Sequence, residues 1–233
     1  MNKIKHLSIY GDSILKGVVL NNDTGRYQTS NEFDLVKLAQ QYGIELDNYS
    51  RFGCTIQKGL PIVQSHLQKG LPCDVALIEL GGNDSNFKWD EVEKAPEAEH
   101  IPATPLPLFK RMYSELVVSL KQKGILPIIC SLPPLCAERY LAWITRNGLD
   151  KERILLWLGD ANAIYRYQER YSLAVEQAAW QLDCPFIDLR GEFLSKLHIL
   201  DYFCEDGIHP NSKGQDLIID TFRERLNALP QSV

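Results

Sequence analysis

Ser13, Asp206 and His209 are the three side-chain types that together make an acyl-transfer site, and each stands in a short polar block. A serine hydroxyl is a weak nucleophile at its free pKa and needs a base within hydrogen-bond reach, for which a histidine near neutral pH is best suited. His209 is the candidate base. Its imidazole has to be held in one tautomer and its transient positive charge stabilised, and Asp206, three residues earlier on the same loop, can do both. The charge that develops on a substrate carbonyl oxygen needs donors aimed at it. The backbone N–H groups of Ser13 and Gly53 and the side-chain amide of Asn83 are the candidates for that oxyanion hole.

Each block has a plainer reading when taken alone. Gly11-Asp12-Ser13 fits a strand-to-helix turn with Asp12 or Ser13 as the cap, and Asp12 is read as structural. Asn83-Asp84 fits an Asx-turn, Gly53 a simple turn, and His209-Pro210 a loop histidine before a rigid proline. A cap, however, requires no Asn and His elsewhere, so the four blocks together favour a site. Ser13-Ile14-Leu15-Lys16 also fits the SxxK motif of penicillin-binding proteins and β-lactamases, but no Ser-Asp-Asn or Lys-Thr-Gly follows, and Lys16 is read as a surface residue. Cys204 is read as structural rather than as a thiol nucleophile, and His6, His66, His100 and His198 show no partner pattern. Glu79 interrupts the apolar run Val75–Leu80. A buried carboxylate there needs a partner or a raised pKa, so it either orients site groups or sits at an exposed strand end, and the sequence leaves both open.

The elements that must position these residues alternate in kind. Ile4 to Tyr10, Ile44 to Tyr49, Val75 to Leu80, Ile125 to Ser131 and Pro185 to Leu189 are short apolar runs with strand character. Leu108, Met112, Leu116 and Leu120 recur at every fourth position up to Gly124, which predicts a helix closed by a C′ glycine. Asp160 to Leu182 is the longest expected helix, with Ile164, Tyr167, Tyr171, Ala174, Ala178 and Leu182 on one stripe and Asp160 as its cap. Ser212-Lys213-Gly214-Gln215 reads as a capping box before Ile218, Phe222, Leu226 and Leu229. Strand and helix alternating about five times imply an α/β fold, a mostly parallel sheet covered on both faces, and right-handed crossovers narrow this to a doubly wound sandwich. In such a sheet, ligands bind outside the carboxyl ends of the strands, where the polar blocks fall.

Length and composition agree with one domain over residues 1–233, with segments 86–107 and 132–159 as candidate lids or insertions. The first of these carries Pro96, Pro102, Pro105 and Pro107 in place of periodic apolar residues, and the second Pro133-Pro134, Trp143, Arg146 and Trp157. The chain is 45% hydrophobic and 24% charged, enough for a core and against wholesale disorder. With 25 basic and 30 acidic residues the net charge is −5, so no overall positive field favours a nucleic-acid partner. The six cysteines form no CxxC pair, and no apolar run approaches the roughly 18 residues of a membrane span or serves as an export signal. These features predict a cytoplasmic protein with reduced thiols and no membrane partner. HExxH, GxxxxGK[ST] and GxGxxG are all missing, so no metal and no organic cofactor is expected.

Gly11-Asp12-Ser13, Gly53, Gly81-Gly82-Asn83-Asp84 and Asp206-Gly207-Ile208-His209-Pro210 resemble, in order and separation, the four blocks of the SGNH hydrolases, the GDSL esterase/lipase family. The match is confined to these blocks, which span residues 11 to 210. The resemblance implies a flavodoxin-like three-layer α/β/α sandwich with five parallel strands in the order 2-1-3-4-5, and hydrolysis of esters or thioesters through an acyl-serine. It implies Ser13 as nucleophile, Asp206 and His209 as the rest of the triad, and Ser13, Gly53 and Asn83 as the oxyanion hole. Ile14 and Cys54 depart from the family's usual residues without removing a catalytic group.

The substrate expected is a small acyl ester, such as an O-acetylated sugar or a thioester, with the Pro-rich stretch and the region of Trp143 and Arg146 narrowing access to Ser13. Trp89, Trp143 and Trp157 are candidates for an aromatic platform. Two other classes compete: the same fold with a degenerate site that binds an acylated sugar or peptide without cleaving it, and a flavodoxin-like nucleotide binder, for which no phosphate-binding glycine loop is found.

Overall fold

The computed structural model describes residues 4–21 and 23–227. Its centre is a parallel sheet of five strands, β1 (His6–Gly11), β4 (Glu45–Asn48), β5 (Val75–Glu79), β6 (Leu126–Cys130) and β7 (Phe186–Ile187), in the spatial order β4-β1-β5-β6-β7. Counted along the sheet strands alone, this is the order 2-1-3-4-5. All five apolar runs supply a strand, and the central β5 is buried along its whole length, which explains its unbroken apolar sequence.

Alternate strand residues serve two cores. Tyr10, Ala76, Ile78 and Ile129 pack against α2 (Ile56–Lys69), α4 (Leu106–Gln122) and α7 (Asn162–Gln181). Ile9, Leu77, Cys130 and Ile187 pack on the other side against α1 (Leu35–Gln40), α8 (Leu189–Leu194) and α9 (Ser212–Asn227). A third apolar cluster joins α3 (Trp89–Lys94), α5 (Ala137–Thr145) and α6 (Lys151–Leu158) to the start of α7.

Several local expectations shift. No helix follows β1 directly: the chain turns and forms an antiparallel hairpin of β2 (Val18–Asn21) and β3 (Arg26–Thr29) before α1. The α7 helix starts at Asn162, two residues past Asp160, whose carboxylate pairs with Arg166 and also faces the Asn162 and Ala163 N–H groups. Ser212 lies inside α9, and the cap is Asn211, whose Oδ1 accepts from the Gly214 N–H at 3.1 Å. Leu229 lies outside the described residues. The buried face of α4 runs through Phe109, Tyr113, Leu116, Val117 and Leu120, and Gly124 follows its end at φ 75°.

Segment 86–107 holds α3, and its later part is tied back by the Ala103 N–H on Asn86 O and the Thr104 N–H on Asp84 O. Segment 132–159 holds α5 and α6. No helix among the described residues is long and apolar enough to cross a membrane.

Candidate active site

Ser13 sits in the turn that leaves the carboxyl end of β1. The Asp12 Oδ1 accepts the Ile14 N–H at 2.8 Å and the Val18 N–H bonds to Ser13 O at 2.9 Å, so the residue is held on both sides. Gly17 closes the turn at φ +75°, where a Cβ would stand 2.6 Å from the Phe33 ring. The Ser13 side chain is buried at the surface of a cleft, while Lys16 points away as an exposed residue.

The loop before α9 brings in the other two groups. His209 Nδ1 donates to Asp206 Oδ2 at 2.6 Å, and His209 Nε2 lies 2.9 Å from Ser13 Oγ. A carboxylate only accepts, so Nδ1 carries the proton and Nε2 is free to accept from the serine hydroxyl. Asp206 is fully buried, and its Oδ1 takes the backbone N–H groups of Ile208 and His209 at 3.0 and 3.1 Å. Burial works to raise its pKa, but the His209 ring and these two N–H groups outweigh it and hold the carboxyl below the usual range. Gly207, at φ +74°, lets the loop pass Cys136 O and Tyr140 N, which a Cβ would meet at 2.7 and 2.9 Å. Cys204 is buried, its thiol pushed up by that burial, and it is Ser13 rather than Cys204 that meets the His209 ring.

Gly53 follows β4 in the left-handed region at φ +62°. None of the hydrogen bonds among the described residues uses the N–H of Ser13 or of Gly53. Asn83 opens a short 3-10 turn after β5, lines the same cleft as Ser13 and His209, and donates one Nδ2 hydrogen to Asp12 Oδ2 at 2.7 Å. Its neighbour Asp84 is fully buried and accepts the Ile56 N–H with both oxygens, at 3.0 and 3.1 Å, capping α2 where Thr55 makes no side-chain cap. Burial raises its pKa to about 6.

Four residues join the site that their types alone did not place there. Asp12, read as structural, holds both the serine turn and Asn83. Glu79 is not at an exposed end: it is buried, lines the cleft and touches Asp12. Tyr27 of β3 lies with its ring 4.8 Å from the His209 ring, and Phe52 stacks on the same ring at 5.9 Å and 9°. The signal for Tyr27 would have been the hairpin.

The three tryptophans do not form one platform. Trp89 and Trp157 pack edge-on against Phe87, whereas Trp143 meets Tyr27 and lies under the Arg146 guanidinium at 3.4 Å. The cleft beside Ser13 holds about 90 Å³, opens to solvent and is lined by Asn83, Trp89, Pro133, Tyr140, Ile164 and Tyr167. No group of three or more His, Cys, Asp or Glu suited to a metal ion is found among the described residues.

Residues 9–217 match the GDSL-like Lipase/Acylhydrolase family. Among solved structures the chain is similar to the lipase/acylhydrolase from Enterococcus faecalis, at 16% identity and TM-score 0.66 over 99% of this chain and 100% of that one. It is also similar to the psychrotrophic esterase EstA from a Pseudoalteromonas species, at 19% identity and TM-score 0.57 over 96% and 99%. An alpha/beta hydrolase enzyme from the metagenome of Lake Arreo, Spain, matches at 19% identity and TM-score 0.65 over 97% of each chain. At such identities the likeness is one of fold. No curated protein matches the chain.

Proposed function

The chain belongs to the GDSL-like lipase/acylhydrolase family and is a hydrolase acting on ester bonds; on that premise we propose that it works through a covalent acyl-serine at Ser13, with His209 as base and acid and Asp206 as its orienting partner. The observation that carries this reading is the unbroken line of contacts, 2.6 Å from Asp206 to the His209 ring and 2.9 Å from that ring to Ser13 Oγ.

His209 Nε2 takes the hydroxyl proton as Ser13 Oγ bonds to the carbonyl carbon. The oxyanion so formed receives hydrogen bonds from the N–H groups of Ser13 and Gly53 and from the second Nδ2 hydrogen of Asn83. When the tetrahedral adduct collapses, the C–O bond to the alcohol breaks and the alcohol leaves with the proton from His209. Water then gives a proton to His209 and attacks the acyl carbonyl. Breakdown of the second adduct returns the proton to Ser13 Oγ and frees the carboxylic acid. Asp206 remains ionised throughout and stabilises the imidazolium in both halves.

The small cleft supports a short acyl group, such as an acetyl ester, over a long chain. The six cysteines, all with free thiols, support a cytoplasmic location. A chain-length series of p-nitrophenyl esters on the wild type and Ser13→Ala tests the reading. It predicts turnover of the short esters that Ser13→Ala loses. Activity of Ser13→Ala equal to wild type overturns the nucleophile, and kcat/KM that climbs steadily beyond about C8 overturns the narrow pocket, since each CH₂ buried in a long channel adds up to ~0.8 kcal/mol. Tight binding of acyl ligands without turnover would favour a binding module.

A further inference from the structure

Two buried carboxyl groups meet behind the nucleophile. Glu79 ends β5 opposite Gly11 of β1, so its side chain and that of the next residue, Asp12, are brought together, and both line the cleft that holds Ser13, Asn83 and His209. Asp12 is 3% exposed and Glu79 1%, and neither takes part in an ion pair with a lysine or arginine among the described residues. Two carboxylates in contact in such a place cannot both keep a charge. The surroundings decide which one does. Burial raises both carboxyls, but Asp12 faces His209 and accepts N–H groups from Ile14 and Asn83, which favour its ionised form, whereas Glu79 gains only the Asp12 backbone N–H and its Oε2 has no partner. Burial, and after it the charge of Asp12, pushes the Glu79 carboxyl well above the usual range. The other titratable groups near it, Tyr113 of α4 and Cys130 of β6, are pushed up by their own burial and stay neutral.

We propose that Glu79 is a positioning residue that acts through Asp12: as a neutral acid it donates a hydrogen bond to the Asp12 carboxylate, which fixes the Asn83 amide so that its second N–H faces the substrate carbonyl oxygen. The inference rests on Asn83 as an oxyanion donor. It assigns to one carboxylate, Asp12, the alignment of both the serine turn and the oxyanion hole, with Glu79 as the group that keeps that carboxylate in place without neutralising it.

Glu79→Gln keeps a neutral donor of the same shape, and Glu79→Leu removes it. With p-nitrophenyl acetate, Glu79→Gln should retain kcat within about threefold. Glu79→Leu should lower kcat by up to about 10²-fold, the cost of one lost oxyanion donor, with KM little changed. In an Asn83→Ala background Glu79→Leu should cost much less, because only the hold of Asp12 on the serine turn is then left to lose. The infrared spectrum at pH 7 should show the carbonyl stretch of a protonated carboxyl that Glu79→Gln removes, and this comparison decides the matter even where Glu79→Leu does not fold. Failure of Glu79→Gln to retain activity, an equal loss from Glu79→Leu with and without Asn83, or no protonated-carboxyl band would each overturn the inference. An Asn83→Ala enzyme as active as wild type would instead remove the oxyanion reading beneath it.

Discussion

The Nε2 of His209 lies 2.9 Å from Oγ of Ser13 across a separation of 196 residues, with both side chains buried. A pair that transfers one proton works as a unit, so losing either member should remove nearly all that both provide. Ser13→Ala, His209→Ala and the double substitution should therefore show the same residual ester turnover. A double variant much slower than either single one would mean that the two act independently.

Asp206→Asn keeps the size of the side chain but lets the His209 ring take the wrong tautomer, and a loss on the order of 10⁴-fold in kcat is expected. The carboxyl is held below the usual range in the folded chain, so its contribution to stability is complete above the unfolded pKa and is lost as pH falls through the folded one. The stability gap between wild type and Asp206→Asn should narrow in acid below about pH 4, the ordinary range for an Asp. Urea titrations at several pH values measure it. A constant gap would contradict the depressed pKa.

Asp84 should behave in the opposite sense. Burial raises its carboxyl from 3.8 to about 6, so the folded chain binds the proton more tightly than the unfolded one. Its contribution is then greatest below the unfolded value and falls as pH rises towards the folded one. Thermal unfolding of the wild type should lose ground to Asp84→Asn between about pH 4 and pH 6. A difference that does not vary over that interval would show that the Ile56 N–H contacts outweigh the burial.

Gly207→Ala tests the loop that carries Asp206 and His209. An alanine at φ +74° costs roughly 1–2 kcal/mol, and its Cβ would press on the backbone of Cys136 and Tyr140. Both the melting temperature and kcat should fall. Wild-type values for both would mean that the loop can shift without moving the histidine.

The inner strands were legible because they are largely buried on both faces and read as apolar runs, β5 most plainly, whereas the edge strand β4 is mostly exposed and polar. The polar blocks were legible because the proposed nucleophile, base and orienting acid are distinct residue types, Ser13 just after β1 and Asp206 and His209 in the loop before α9. The hairpin was not: Arg26–Thr29 is mostly exposed and polar, with no apolar face to give a period, and Tyr27 was hidden with it. Ser212 was mistaken for a cap because capping residue types stand within a residue or two of the α9 start, and only the backbone decides which one closes it. Glu79 stood out as a polar residue in an apolar run, but its partner Asp12 adjoins it only through the register of β1 with β5.

Mass spectrometry of peptides from the protein after reaction with a fluorophosphonate measures the proposed covalent acyl-serine chemistry most directly. One stoichiometric adduct is expected on the peptide containing Ser13, absent in Ser13→Ala and strongly slowed in His209→Ala. An adduct on another residue that persists in Ser13→Ala, or no adduct on a preparation that still hydrolyses esters, would contradict it.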